Sequence, residues 1–146
     1  MIQDKFAYIS NYICRESMKN VSENLSDSDQ KSFSYNDYYY LVTIYNMGSP
    51  NFSQLARELG LTKPAISVII RKLSKIGLIE KVQSDKDKRV FYLSVTEKGK
   101  RIVQGDEDSY QRISLLIKKH IKDEEHYEFL ETLLSQIVQE LKTTEL

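Results

Sequence analysis

Residues 51–99 read NFSQLARELGLTKPAISVIIRKLSKIGLIEKVQSDKDKRVFYLSVTEKG, and this stretch decides the fold. Asn51 and Gln54 have capping-box spacing, which predicts a short helix from Phe52 to Leu59. Leu55, Ala56 and Leu59 would face inward. Gly60 follows, where a helix end favours a residue that tolerates positive φ. Thr62 can cap the next helix, and Pro64 falls in its first turn, where a missing N–H costs little. That helix reaches Lys75, with Ile66, Ile70 and Leu73 as its buried stripe. Gly77 ends it, and Leu78 to Ser84 and Arg89 to Val95 read as two strands. Their turn, Asp85-Lys86-Asp87-Lys88, is wholly charged and suited to exposure. Helix, turn, helix and hairpin in this order make a winged helix-turn-helix.

Working outward, Ser34 and Asp37 form a capping pair for a helix from Tyr35 to Asn46. Its inward side would be Tyr38, Leu41, Ile44 and Tyr45. Residues 20–33 are polar and rich in serine and aspartate, and read as a loop or a frayed helix end. Residues 2–18 read as a helix striped by Ile2, Phe6, Ile9 and Ile13. Downstream, Thr96 can cap a long helix to about Ile121. Asp123 opens a last helix, with an apolar stripe from Tyr127 through Leu130, Leu133, Leu134, Ile137 and Val138 to Leu141. The expected class is mainly α with a small β-hairpin wing (α+β). We expect a single domain over 1–146, with the winged module at 34–96 and dimerisation helices at 1–33 and 97–146.

A chain of 146 residues can bury a core without metals or disulfides. The single cysteine, Cys14, excludes an intrachain disulfide and fits a reducing compartment. No apolar run reaches the length of a membrane span, and the first residues lack a signal-peptide pattern. The expectation is a cytoplasmic, nucleoid-associated protein with no membrane partner. Net charge is zero, but its distribution is uneven. Between Leu61 and Arg89 there are eight basic and three acidic residues, whereas 121–146 holds two basic and seven acidic. Binding phosphates needs local positive charge, not a high overall balance.

On the helix from Lys63 to Lys75, the face opposite the buried stripe carries Pro64, Ser67, Val68, Arg71 and Lys75. Small leading residues let a helix backbone approach base edges, and Arg or Lys reaches guanine or phosphate. We therefore take Lys63, Pro64, Ser67, Val68, Arg71, Lys72 and Lys75 as the reading helix for double-stranded DNA. Lys86, Asp87, Lys88 and Arg89 form the wing, where Asp87 can hold Arg89 extended for entry into a minor groove. Asn51, Ser53 and Gln54 support the helix-turn-helix. An alternative is a winged helix whose basic face serves an acidic protein partner without specific DNA binding. No Gly-rich phosphate loop, nucleophile elbow or HExxH motif is present, so neither enzymatic activity nor a cofactor is expected.

Four segments carry a family resemblance: Asn51 to Leu61, Lys72 to Ile79, Ser84 to Arg89, and Leu93-Ser94-Val95-Thr96-Glu97-Lys98-Gly99. Together they resemble the MarR family of bacterial transcriptional regulators. The resemblance implies a homodimer held by the first and the last two helices. It further implies two winged modules on a pseudo-palindromic operator, a repressor role, and release by a small ligand or an oxidant. Ser84-Asp85 departs from the Asp-Pro that often begins this family's wing, and Val68 stands where a polar residue is common. Pro64 removes one backbone phosphate donor. Some similar proteins sense oxidants through a first-helix cysteine activated by tyrosines. Here that pair would be Cys14 with Tyr35, but residues 20–33 lack the second tyrosine. The preferred reading of Cys14 is a small buried or half-buried thiol. His120 and His126 with Glu124, Glu125 and Glu128 do not compel a metal site, because acidic residues opening a helix already suit its dipole. Tyr38-Tyr39-Tyr40 suits a helix packing face better than an aromatic effector pocket.

Overall fold

The computed structural model describes residues 1–144. Among these residues seven helices and a two-stranded hairpin follow in order. They are α1 (Ile2–Asn24), α2 (Asp27–Ser32), α3 (Tyr35–Asn46), α4 (Phe52–Leu59), α5 (Lys63–Lys75), β1 (Ile79–Gln83), β2 (Phe91–Val95), α6 (Glu97–His120) and α7 (Glu124–Thr144). The chain separates into two units, Met1–Glu107 and the remainder from Asp108.

In the first unit the core is built from Leu41 and Ile44 of α3, Leu55 of α4, and Ile66, Ile70 and Leu73 of α5. Leu78, Leu93 and Ile102 complete the fully buried set. Ile69 is also buried, widening the α5 stripe beyond the three residues expected from spacing. The hairpin is antiparallel, pairing Ile79 with Val95, Lys81 with Leu93 and Gln83 with Phe91. Both strands are shorter than the sequence suggests. Leu78 is drawn back into the end of α5, where its N–H bonds the Leu73 carbonyl at 2.9 Å. Arg89 and Val90 belong to the turn rather than to the strand. A bridge between Asn51 and Tyr92, with the Leu93 N–H donating to the Pro50 carbonyl at 2.9 Å, ties the start of α4 to the hairpin.

The region expected to be a loop or a frayed helix end is mostly helical. α1 continues to Asn24, and α2 follows with Ser26 as its cap. The reason is tertiary: Val21 and Leu25, four apart, bury their side chains in the core. Asn20 spends its amide on the Arg101 and Ile102 carbonyls of α6 at 2.6 and 2.8 Å. Gln30 of α2 bonds the Ser22 and Leu25 carbonyls at 2.8 and 2.9 Å, fastening the turn between the helices. Polar composition signalled a loop, but each of these polar groups has a backbone partner.

Upstream on α1, Ile2, Phe6 and Ile9 are exposed, while the stripe turns inward at Ser17 and Val21. In the second unit α7 buries no residue, and Phe129, Leu133, Leu134, Ile137, Val138 and Leu141 all face outward. The Lys118 ammonium lies 5.2 Å from the centre of the Tyr127 ring. No helix among the described residues is long and apolar enough to cross a membrane.

Candidate nucleic-acid interface

Two caps position α4 and α5. The Asn51 side chain accepts the Gln54 N–H at 2.9 Å, and the Gln54 side-chain Oε1 accepts the Asn51 N–H at 2.8 Å. Gly60 takes φ 62°, turning the chain so that Leu61 bonds back to the Ala56 carbonyl. Thr62 accepts the Ala65 N–H at 3.4 Å, opening α5 with Pro64 in its first turn.

With Ile66, Ile69, Ile70 and Leu73 buried, α5 exposes Lys63, Pro64, Val68, Arg71 and Lys75, and half-exposes Ser67. Five residues thus share an outward face that bears cations and no carboxylate. Lys72 lies elsewhere. Its ammonium donates to Asp37 Oδ2 at 2.5 Å, and its side chain is 36 % exposed. The sequence reading placed it with the reading residues, but its place on α5 aims it back at the start of α3.

Asp37 is the acidic member of the α3 capping box. Its Oδ2 accepts the Ser34 N–H and hydroxyl, both at 2.7 Å, as well as the Lys72 ammonium. Burial raises the pKa of this carboxyl. The Lys72 and Ser34 hydrogen bonds and the Lys72 charge outweigh it, leaving the group below its ordinary 3.8. Beside it, the Tyr38 and Ser17 hydroxyls both donate to Asp106, so α1, α3 and α6 share one carboxylate. Sequence reasoning missed Asp37 as an ion-pair partner, and Ser17 and Asp106 altogether. Only the capping position of Asp37 was visible, because the partners lie 35, 89 and 68 residues apart in the three contacts.

The far end of α5 is fastened too. The Lys98 ammonium donates to the Ile76 carbonyl at 2.8 Å, and the Thr96 hydroxyl donates to the Gly77 carbonyl at 2.7 Å. Thr96 also accepts the Gly99 N–H at 3.1 Å, capping α6. A Cβ on Gly99 would stand 2.4 Å from the Leu78 carbonyl oxygen, so only glycine lets α6 pass this close.

The wing is organised by short-range bonds. The Ser84 hydroxyl accepts the N–H groups of Lys86 and Asp87, both at 3.3 Å. The Gln83 amide donates to the Lys88 carbonyl at 2.7 Å. Asp87 Oδ1 accepts the Arg89 N–H at 3.0 Å and its Nε at 3.3 Å, while the Arg89 side chain stays 93 % exposed. At the wing's base the Lys81 ammonium lies 5.5 Å from the centre of the Phe52 ring. A hollow of about 330 Å³ brings Asn51, Phe52 and Ser53 of the α4 start together with Lys63, Arg89, Val90 and Phe91. Gln54 is not among its walls; it holds the cap beside them.

Cys14 is exposed on α1, not buried or half-buried as the sequence suggested. Its neighbours Ile13 and Ser17 turn toward the unit, and position 14 lies about 100° around the helix from 13. No hydrogen bond links it to Tyr35 among the described residues. Nor does any group of three or more His, Cys, Asp or Glu among them converge as metal ligands.

Known proteins share this arrangement. The profile of the MarR family matches residues 33–91, from just before α3 to the first residue of β2. The HTH-type transcriptional regulator BilQ of Clostridioides difficile (strain CD3) is 29 % identical over 106 residues, 73 % of this chain and 70 % of that protein. The uncharacterized HTH-type transcriptional regulator YkoM of Bacillus subtilis (strain 168) is 32 % identical over 82 residues, 56 % of this chain and 53 % of that protein. Among solved structures, Streptococcus pneumoniae FabT in complex with DNA superposes with a TM-score of 0.63 at 22 % identity, covering 98 % of this chain and 99 % of that one. A MarR-like transcriptional regulator from Thermotoga maritima does so with 0.66 at 19 %, covering 97 % of each. The capped helix pair and the pinned wing lie in the segment that matches the MarR family, and the chain as a whole is similar to HTH-type transcriptional regulators and shares the fold of MarR-like proteins.

Proposed function

We propose that this chain is a transcriptional regulator of the MarR family that binds a pseudo-palindromic DNA operator as a homodimer and represses transcription until a small ligand or oxidant releases it. The observation that carries the reading is Arg89, held by Asp87 yet 93 % exposed, beside an α5 face of exposed cations. An arginine fixed in open water suits a minor groove, where negative potential is focused. α5 would lie in the adjacent major groove, with Arg71 at a base edge and Lys63, Lys75, Lys86 and Lys88 on phosphates. The hollow walled by Ser53, Lys63 and Arg89 has room for the backbone phosphate between the two grooves. FabT was solved in complex with DNA, which supports transferring DNA binding to this chain. The site of action would then be the nucleoid, in the cytoplasm.

Binding titrations test it, with duplexes selected from a randomised pool and with scrambled controls, each at several salt concentrations. The selected duplex should bind tighter than the scrambled one, and both affinities should fall as salt rises. Equal affinity for both, with steep salt dependence, would return the basic face to an acidic protein partner.

A further inference from the structure

Val68 is an exposed valine in the middle of the α5 outward face, 59 % accessible. The helix does not need it there. Its buried stripe is complete without it, and a β-branched residue on an exposed helix face is a weaker helix former than alanine or lysine. Its surroundings are poor in donors. Pro64, four residues before it, has no N–H. The Ser67 hydroxyl turns back to the Lys63 carbonyl at 3.1 Å, and Lys72 is committed to Asp37. Arg71 is therefore the donor beside it on the outward face, three residues further along.

We infer that Val68 reads the 5-methyl group of a thymine in the operator half-site, at the base pair next to the guanine taken by Arg71. The inference rests on α5 being the DNA-reading helix. In the major groove that methyl is the one apolar substituent; the N7, O6, O4 and amino groups are hydrogen-bonding groups, and a valine can satisfy none of them. Setting Val68 against a cytosine amine or a purine N7 leaves that group desolvated and unpaired, whereas the methyl gains apolar contact. The spacing fits neighbouring base pairs. Three residues advance about 4.5 Å along a helix, against about 3.4 Å per base pair.

The test uses the full chain and a duplex selected from a randomised pool. Each thymine is replaced in turn by uracil, which removes only the methyl. Wild type should lose about fourfold in affinity per half-site at one position, the worth of one buried methyl. Val68→Ala should bind the thymine duplex at least about fourfold more weakly and be indifferent to uracil at that position. Arg71→Ala should keep the uracil penalty while losing its guanine preference. Uracil tolerated everywhere by wild type overturns the assignment, as does a penalty that persists in Val68→Ala. A pool that enriches no sequence overturns the DNA-reading proposal itself, which is a different result from enrichment without a methyl effect.

Discussion

Lysines 72 and 75 sit three residues apart on one helix and do different work. Lys75 is exposed, so Lys75→Ala should weaken all duplexes alike and lower the salt slope by about one per contact. Lys72→Ala should leave that slope unchanged and cost about 1–3 kcal/mol of stability instead, because Asp37 stays buried without its cation. Chemical denaturation beside a salt titration separates the two. Arg71→Ala should cost roughly 1–3 kcal/mol of binding to the selected duplex and relax preference at one position per half-site. Arg89→Ala should lose the proposed minor-groove contact, and Asp87→Ala much of it, since the arginine is no longer held. Normal binding by both Arg71→Ala and Arg89→Ala would mean the reading surface is misassigned. The outward residues of α5 were legible in the sequence because helical spacing alone sorts them. Lys72 was not, because its partner is fixed by the packing of α3 on α5.

Elements are tied to one another by groups that serve two ends at once. Asp37 caps α3 and holds α5. Its pKa in the folded chain lies below the ordinary 3.8, so its contribution to stability is complete above that value and is lost as pH falls through the folded value. Asp37→Asn should therefore be less stable than wild type near neutrality, by about 1–3 kcal/mol, with the gap closing in acid below the ordinary value. A gap independent of pH would show that the carboxylate charge does not matter. Gly99→Ala should destabilise by about 1–3 kcal/mol, since its Cβ would meet backbone at Leu78 and the Val95 side chain. Helix boundaries from α3 to α6 were readable within two residues, because caps and glycines are local signals. The end of α1 and all of α2 were not. Their polar residues gain carbonyl partners only after folding brings distant backbone alongside.

At the scale of the molecule, apolar surface remains on both units. Ile2, Phe6 and Ile9 lie open on α1, and Phe129, Leu133, Leu134, Ile137, Val138 and Leu141 lie open on α7. Patches of this kind call for a partner, and a second copy would supply an isologous one. Sedimentation should find a dimer at micromolar concentration; a monomer there would remove the proposed operator geometry. Cys14→Ser is expected to bind DNA and respond to peroxide as wild type does; retained binding with lost release would instead make the thiol the sensor. The fastening of α5 then has a consequence for release. Lys72 grips it through Asp37, and Lys98 and Thr96 hold the turn at its end. A helix clamped in this way has little freedom left to lose when it docks. On the proposed function it would also give an effector no loose segment to melt, and release would then be a change in the distance between the two reading helices of a dimer, set against the fixed pitch of the double helix.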